Sequence, residues 1–191
     1  MKLFNWAIFI FLCLVINLYS AEPEIKISSQ KVEFLKLEGK TIFTDNVRML
    51  QGENYIFADR MVKDDKNKII EAENNVITFY ETLNGQTLKI SGNKLHYDLL
   101  KEEIYLPERP YLVYTDSFTG SSGEIISDDV TFYRSEGRMV FEGNVQIDKF
   151  RFNTDDNKYL SRFSADKIMF FINEKRILFK ENVYAKIEEV D

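Results

Sequence analysis

Ile70-Glu71-Ala72-Glu73-Asn74-Asn75-Val76-Ile77-Thr78 places apolar side chains at Ile70 and Ala72, interrupts them with two asparagines, and resumes at Val76. Alternation with a period of two marks a strand with one buried face. Asn tolerates left-handed or bulged backbone that most residues avoid, so the Asn-Val step reads as a point where the strand bends around a corner. The same dipeptide recurs at Asn46-Val47, Asn144-Val145 and Asn182-Val183, and Arg109-Pro110 takes its place in one further copy. Each dipeptide falls 17 and 18 positions after a small residue: Ser29, Ala58, Gly92, Ser127 or Ala165. The starts are 29, 34, 35 and 38 residues apart while the internal offset is constant, so a rigid unit alternates with connections of variable length.

The side-chain phase is kept across the copies. Three positions after each small residue come Val32, Met61, Leu95, Val130 and Ile168, and two further on come Phe34, Lys63, Tyr97, Phe132 and Phe170, with Lys63 the exception. Later positions repeat the pattern as Thr41/Phe43, Ile70/Ala72, Ile104/Leu106, Met139/Phe141 and Ile177/Phe179. Beyond the corner it continues as Val47/Met49, Val76/Thr78, Pro110/Leu112, Val145/Ile147 and Val183/Ala185. Each unit therefore reads as strand, turn, strand, kink, strand. Turn chemistry falls where the repeat needs it, at Gly39, Lys63–Lys68, Ser121-Ser122-Gly123, Glu136-Gly137, Asn153–Asn157 and Asn173-Glu174, and most sharply at Asn84-Gly85.

No stretch of helical period is long enough for a helix in residues 22–191, so the expected fold is all-β: antiparallel strands folded at the corners into two facing sheets that share an apolar interior. Five units without a closing strand leave the sheets open, with Ile25–Leu37 and Arg176–Ile187 as edges that offer unpaired backbone groups to another β protein. Residues 1–21 stand apart. Lys2, the apolar run from Leu3 to Ile16 and the stretch Asn17–Ala21, which ends in small residues, have the layout of a secretory signal, and the same layout also fits an uncleaved anchor. The single cysteine, Cys13, lies in that segment, so residues 22–191 offer neither disulfides nor thiolate metal ligands. They form one expected domain, uninterrupted by a linker.

The net charge of −6, without a basic block, argues against nucleic acid as a partner. Enzymatic chemistry finds no support either. Asp155-Asp156 and Glu102-Glu103 are adjacent on a strand or turn and point apart, and the single histidine, His96, takes an outward position without a nucleophile or metal ligand in register. No cofactor or metal is expected.

Ile70–Tyr80, followed by Asn84-Gly85 and Ile90-Ser91-Gly92-Asn93-Lys94-Leu95-His96-Tyr97-Asp98, resembles the middle of the LptA/OstA-like periplasmic proteins. Phe43-Thr44-Asp45-Asn46-Val47, leading into Gln51-Gly52 and Ala58-Asp59-Arg60, is similar to that family's opening repeat. The resemblance implies a V-shaped open β-jelly roll built from about five OstA-like repeats. It also implies a periplasmic, non-enzymatic bridge that holds lipopolysaccharide, or a related glycolipid, by its acyl chains between the sheets. Its implied partners are an inner-membrane LptC-like protein and an outer-membrane LptD-like barrel, reached through edge strands, with head-to-tail self-association. A membrane-anchored LptC-like component and a secreted structural β module without a lipid ligand are the alternatives.

The candidate lipid-contacting residues are Val32, Phe34, Val47, Met49, Met61, Val76, Leu95, Tyr97, Leu106, Val130, Phe132, Phe141, Val145, Ile147, Ile168, Phe170, Phe179 and Val183. An ordinary hydrophobic core would use the same set; a lipid path additionally needs walls that stay partly unfilled. Two departures stand out. Pro110 removes a ladder donor, so its corner is expected to be locally open or at an edge. Phe150–Tyr159 reads as a long polar insertion, either a tolerated surface loop or a partner-specific one.

Overall fold

The computed structural model describes residues 24–190 apart from 53, 82–84, 154–157 and 175. The expected leader and the Asn84 half of the Asn84-Gly85 turn lie outside the described residues, as do Asp155 and Asp156; Gly85 has the expected positive φ, 71°. Among the described residues, fourteen strands, all paired antiparallel, form one continuous hydrogen-bonded network. In chain order they are β1 (Ile25–Ser28), β2 (Lys31–Leu35), β3 (Lys40–Gln51), β4 (Asn54–Asp64), β5 (Ile69–Glu81), β6 (Gln86–Asp98) and β7 (Glu103–Leu106). There follow β8 (Tyr111–Asp116), β9 (Ser122–Ile126), β10 (Asp129–Tyr133), β11 (Arg138–Asn153), β12 (Lys158–Phe171), β13 (Arg176–Lys180) and β14 (Tyr184–Val190). The protein is all-β, as its alternation requires.

The long strands each belong to two layers because their pairing registers shift in the middle. One layer runs β2, 40–44 of β3, 60–64 of β4, 69–73 of β5, 94–98 of β6, β7, β10, 138–142 of β11, 167–171 of β12, β13. The other runs β1, the end of β3, the start of β4, the end of β5, the start of β6, β8, β9, the end of β11, the start of β12, β14. Contacts between the layers establish that they face each other: Tyr80 meets Phe132 with ring centroids 4.9 Å apart, Tyr114 meets Phe170 at 5.4 Å, and Phe163 meets Phe179 at 4.9 Å.

The bends are the corners read from the sequence. Two consecutive residues take positive φ at each: Asp45-Asn46, Asn74-Asn75, Glu108-Arg109, Gly143-Asn144 and Glu181-Asn182. Where the chain is continuous, the extra residue is a β-bulge, as between Thr44 and Val47 or Glu142 and Val145. The asparagine amides fasten three of the corners across the ladder: Asn75 donates to Asp59 at 2.7 Å, Asn144 to Asp128 at 2.9 Å and Asn182 to Asp166 at 2.6 Å. Each acceptor follows a small residue of the repeat. The small residues mark the return crossings, so one repeat is one passage into the second layer and one back.

The register explains the small side chains. Val47 opposes Ala58, Val76 opposes Gly92 and Val145 opposes Ala165. Extending the β6–β8, β8–β9 and β9–β11 ladders by one residue puts Pro110 and Ser127 in the same transverse row. This row forms a spine along the fold line, where two layers converge and only small or β-branched side chains fit. Val47, Ala58, Val76, Ser127, Val145 and Ala165 are all at most 5% exposed there.

Two expectations are corrected. The Arg109-Pro110 corner is neither open nor at an edge: β7 lies between β6 and β10, and β8 between β6 and β9. The Arg109 N–H donates to the Asp128 carbonyl at 2.9 Å and Glu108 accepts from Lys94 at 2.6 Å. Pro110 is buried in the spine, at a bend where a proline's fixed φ suits the backbone. The flanks of the Phe150–Tyr159 segment are strand rather than loop, while 154–157 lie outside the described residues. Phe150 pairs with Ser161, Arg151 with Leu160 and Phe152 with Tyr159, and the last two rings stack at 5.1 Å.

Candidate functional site

Two transverse rows of the first layer face the interior. The row next to the spine carries Val32, Phe43, Met61, Ala72 and Leu95, then Leu106, Val130, Phe141, Ile168 and Phe179. The next carries Phe34, Thr41, Lys63, Ile70 and Tyr97, then Ile104, Phe132, Met139, Phe170 and Ile177. The second layer answers with Ile27, Met49, Ile56, Thr78, Ile90, Leu112, Ile125, Ile147, Phe163 and Ala185.

Of the eighteen candidates, Val47, Met49, Met61, Val76, Leu95, Tyr97, Leu106, Val130, Phe132, Phe141, Val145, Ile147, Ile168 and Phe170 are buried in this interior. Phe179 is partly buried against it. Val32, Phe34 and Val183 keep the inward phase but are 46%, 75% and 51% exposed. They belong to the terminal segments, whose strands have a neighbour on one side only. Lys63, at the same end, stands beside Asp65 at 2.8 Å. The interior thus meets solvent at both ends of the strand order, through Val32 and Phe34 at one and Val183 and Ile187 at the other.

The interior also contains residues that the repeat template left out: Ile56, Leu88, Ile90, Tyr114, Ile125 and Ile172. Most of the missed signal is the same alternation read backward. Ile56, Ile90, Ile125 and Phe163 each stand two positions before a small residue of the repeat.

Between the layers the space is nearly filled. A cavity of ≈ 30 Å³ lies among Met49, Ile56, Tyr80, Ile90, Phe132 and Met139, and one of ≈ 10 Å³ among Leu88, Leu112, Tyr114, Phe150 and Phe170. A water needs about 10–15 Å³ measured this way, so neither holds an acyl chain without separation of the sheets. Over Gly123, the Phe150 ring occupies the space a side chain would need: a Cβ there would meet Phe150 Cδ2 at 2.5 Å. The left-handed Lys149, φ 55°, sits in the bulge that brings Phe150 to this position.

Two polar clusters border these cavities. In one, the Tyr97 hydroxyl of the first layer donates to Gln51 Oε1 of the second at 2.9 Å, and the Arg134 guanidinium donates to both Gln51 Oε1 and the Tyr97 oxygen. Burial raises the Tyr97 pKa against the pull of Arg134, so the phenol stays neutral. In the other, the Tyr114 hydroxyl donates to Asp116 Oδ2 at 3.3 Å and Gln86 Nε2 donates to the Tyr114 oxygen at 3.4 Å. Asp116 Oδ1 also accepts from the N–H groups of Phe118 and Thr119 at 2.9 and 3.1 Å, which ties the turn after β8.

Burial, with the Asp116 carboxylate beside it, pushes the Tyr114 phenol up to about 12. The unfolded chain loses this proton above about pH 10. The stabilising contribution is therefore complete below that pH and is lost as pH rises through the folded value. Unfolding free energies from denaturant titrations at about pH 9 and about pH 11.5 should fall more steeply for the wild type than for Tyr114→Phe, by on the order of 2 kcal/mol. Equal slopes would place the phenol in water.

His96 takes its expected outer position, with Nδ1 3.8 Å from Glu71 Oε1. No group of three or more metal-binding side chains occurs among the described residues.

The profile of the family described as LptA/(LptD N-terminal domain) LPS transport protein matches residues 26–123, just over half of the chain. The Haemophilus influenzae lipopolysaccharide export system protein LptA is 36% identical over 95 residues, covering 46% of this chain and 54% of that protein. The chain thus spans about half the length of that curated relative. LptH, the LptA-homologous periplasmic component of the lipopolysaccharide transport device of Pseudomonas aeruginosa, aligns over 88% of this chain and 95% of its own, at 8% identity and a TM-score of 0.36. That superposition is too loose to bear on function. The matched segment contains the corners at Asp45-Asn46, Asn74-Asn75 and Glu108-Arg109, and the same backbone device recurs beyond it at Gly143-Asn144 and Glu181-Asn182. On the profile match over residues 26–123, the chain belongs to the LptA/LptD N-terminal domain family of lipopolysaccharide transport proteins.

Proposed function

We propose that the protein is a non-enzymatic periplasmic carrier that takes the acyl chains of lipopolysaccharide, or of a related glycolipid, between its two sheets and passes them to a neighbouring β protein. The observation that carries this reading, beyond family membership, is a continuous apolar interior whose ends are exposed at both edges through Val32, Phe34, Val183 and Ile187. Leaving an acyl chain in water costs about 0.8 kcal/mol per CH₂, whereas moving it along one apolar wall costs little. A groove continued from molecule to molecule removes the barrier without covalent chemistry. Separation of the layers makes room, and Met49, Met61 and Met139 supply adaptable walls.

Photo-crosslinkers at Phe132 and Phe170, expressed in cells, should capture a glycolipid identifiable by mass. Clean failure at both, with the protein folded and exported, would leave a structural β module as the reading.

The partners in this reading are an inner-membrane LptC-like protein, an outer-membrane LptD-like barrel and further copies, docking on β1/β2 at one end and β13/β14 at the other. Strand addition uses backbone groups that an edge leaves unpaired. Proline at Val183 occupies the corner position that Pro110 fills in the third unit, so the monomer should accept it, with the thermal midpoint changing by less than about 5 °C. Light scattering over a concentration series should show weaker self-association for Val183→Pro and Tyr184→Pro. Association unchanged in both would move the contact away from this edge.

A further inference from the structure

The cavity between Met49, Ile56, Ile90 and Phe132 ends at a charged side chain. Arg134, the residue after β10, is half-buried at its border, and its guanidinium contacts Gln51 Oε1 and the Tyr97 oxygen, both neutral. No carboxylate forms an ion pair with it among the described residues; Glu102, whose charge reaches the Tyr97 hydroxyl, accepts the Arg134 backbone N–H at 3.0 Å with its carbonyl. A guanidinium in this setting has donors to spare and no carboxylate paired to it, the arrangement that favours phosphate or carboxylate oxygens. A second side chain at the same cavity points to a polar visitor. Asn54 lines it, and its buried Oδ1 has no hydrogen-bond partner among the described residues.

The surrounding wall is apolar, so a free anion would gain only the head contacts. An amphiphile would gain both, its tail against Met49, Ile56, Ile90 and Phe132 and its head on Arg134. The other polar cluster is the reverse in sign, because Asp116 supplies its charge. The two cavities are therefore not equivalent toward an anionic head.

We propose that Arg134 is a subsite for the anionic head group of an amphiphile, whose oxygens replace Gln51 and Tyr97 on the guanidinium while the tail enters the cavity between the sheets. Because Gln51 and Tyr97 belong to opposite layers, the exchange also undoes a bridge that holds the layers together. The head group would thus help to open the space its tail needs. The proposal rests on the lipid-carrier reading above and adds to it the place and charge of the head.

Titration calorimetry at low ionic strength, below micelle formation, compares decyl phosphate, decyl maltoside and inorganic phosphate on the wild type, Arg134→Gln and Arg134→Lys. The wild type should bind decyl phosphate about tenfold more tightly than decyl maltoside, the size of one charge-assisted contact. Arg134→Gln should lose that preference, and Arg134→Lys should keep most of it. Equal wild-type affinity for the two amphiphiles, a preference that survives in Arg134→Gln, or inorganic phosphate binding as tightly as decyl phosphate would each overturn the subsite while leaving the carrier reading in place. Binding of neither amphiphile would remove both. Should Arg134→Gln fail to fold, the wild-type comparison and Arg134→Lys still decide.

Discussion

Phe170→Asp should abolish the cooperative unfolding transition at 25 °C, whereas Lys167→Asp, three residues earlier on β12, should keep it. Phe170 is 6% exposed, stands opposite Met139 and Ile177, and meets Tyr114 edge-on across the interior. Removing a buried Phe side chain costs about 3–5 kcal/mol. The aspartate left in its place finds no described cation beside it, and burying an unpaired charge adds several kcal/mol more or forces its protonation. Together these rival the whole stability of a domain, about 5–15 kcal/mol.

Lys167 points outward and pairs with Glu142. Its replacement by Asp exchanges a partly exposed attraction for repulsion from Glu142 and Asp129, a cost of about 1 kcal/mol. Circular dichroism melts of the two variants check the side-chain phase of the entire strand. Comparable losses in both would mean that β12 is assigned to the wrong face.

Gly143→Val should cost about 2–3 kcal/mol, read as a lower denaturant midpoint at unchanged slope. Gly143 has φ 72°, where a β-branched residue is strained, and a Cβ would lie 2.9 Å from Cβ and Cγ of Asp128. That aspartate cannot simply move aside, because it accepts from the Asn144 amide at 2.9 Å and so fastens the corner. Gly143→Asn should lose about half as much, since Asn74 holds the equivalent corner position at φ 60°. If valine and asparagine behave alike, the left-handed backbone is not what the corner requires.

Much of this architecture was legible because strand alternation and corner chemistry are local. Asn74-Asn75-Val76 announces a left-handed step followed by an inward valine; the step recurs at every corner, with Pro110 in place of the valine at one. The reading failed where a residue's role depends on its neighbours in space. Pro110 looked like damage to a ladder, yet in the assembled row it is one more small, rigid residue on the spine. Phe150–Tyr159 looked polar and loop-like by composition, but its aromatic residues lie in the ladder between the end of β11 and the start of β12. Val32, Phe34 and Val183 carry the inward phase and remain exposed because burial requires neighbours on both sides, which alternation does not report.

The candidate site divides in the same way. Its apolar wall could be read as a list, since the inward face of each strand is fixed by counting in twos. Gln51 and Arg134 could not, being 83 residues apart and joined only when the layers close. The sequence alone determined that this is an all-β chain of five bent units with one apolar face, because backbone tolerance and side-chain phase act within a few residues. Tertiary structure alone decided which bends align into a spine, how little space the two walls leave between them, and where a charge stands at its border, because those depend on contacts between segments that the chain brings together only by folding.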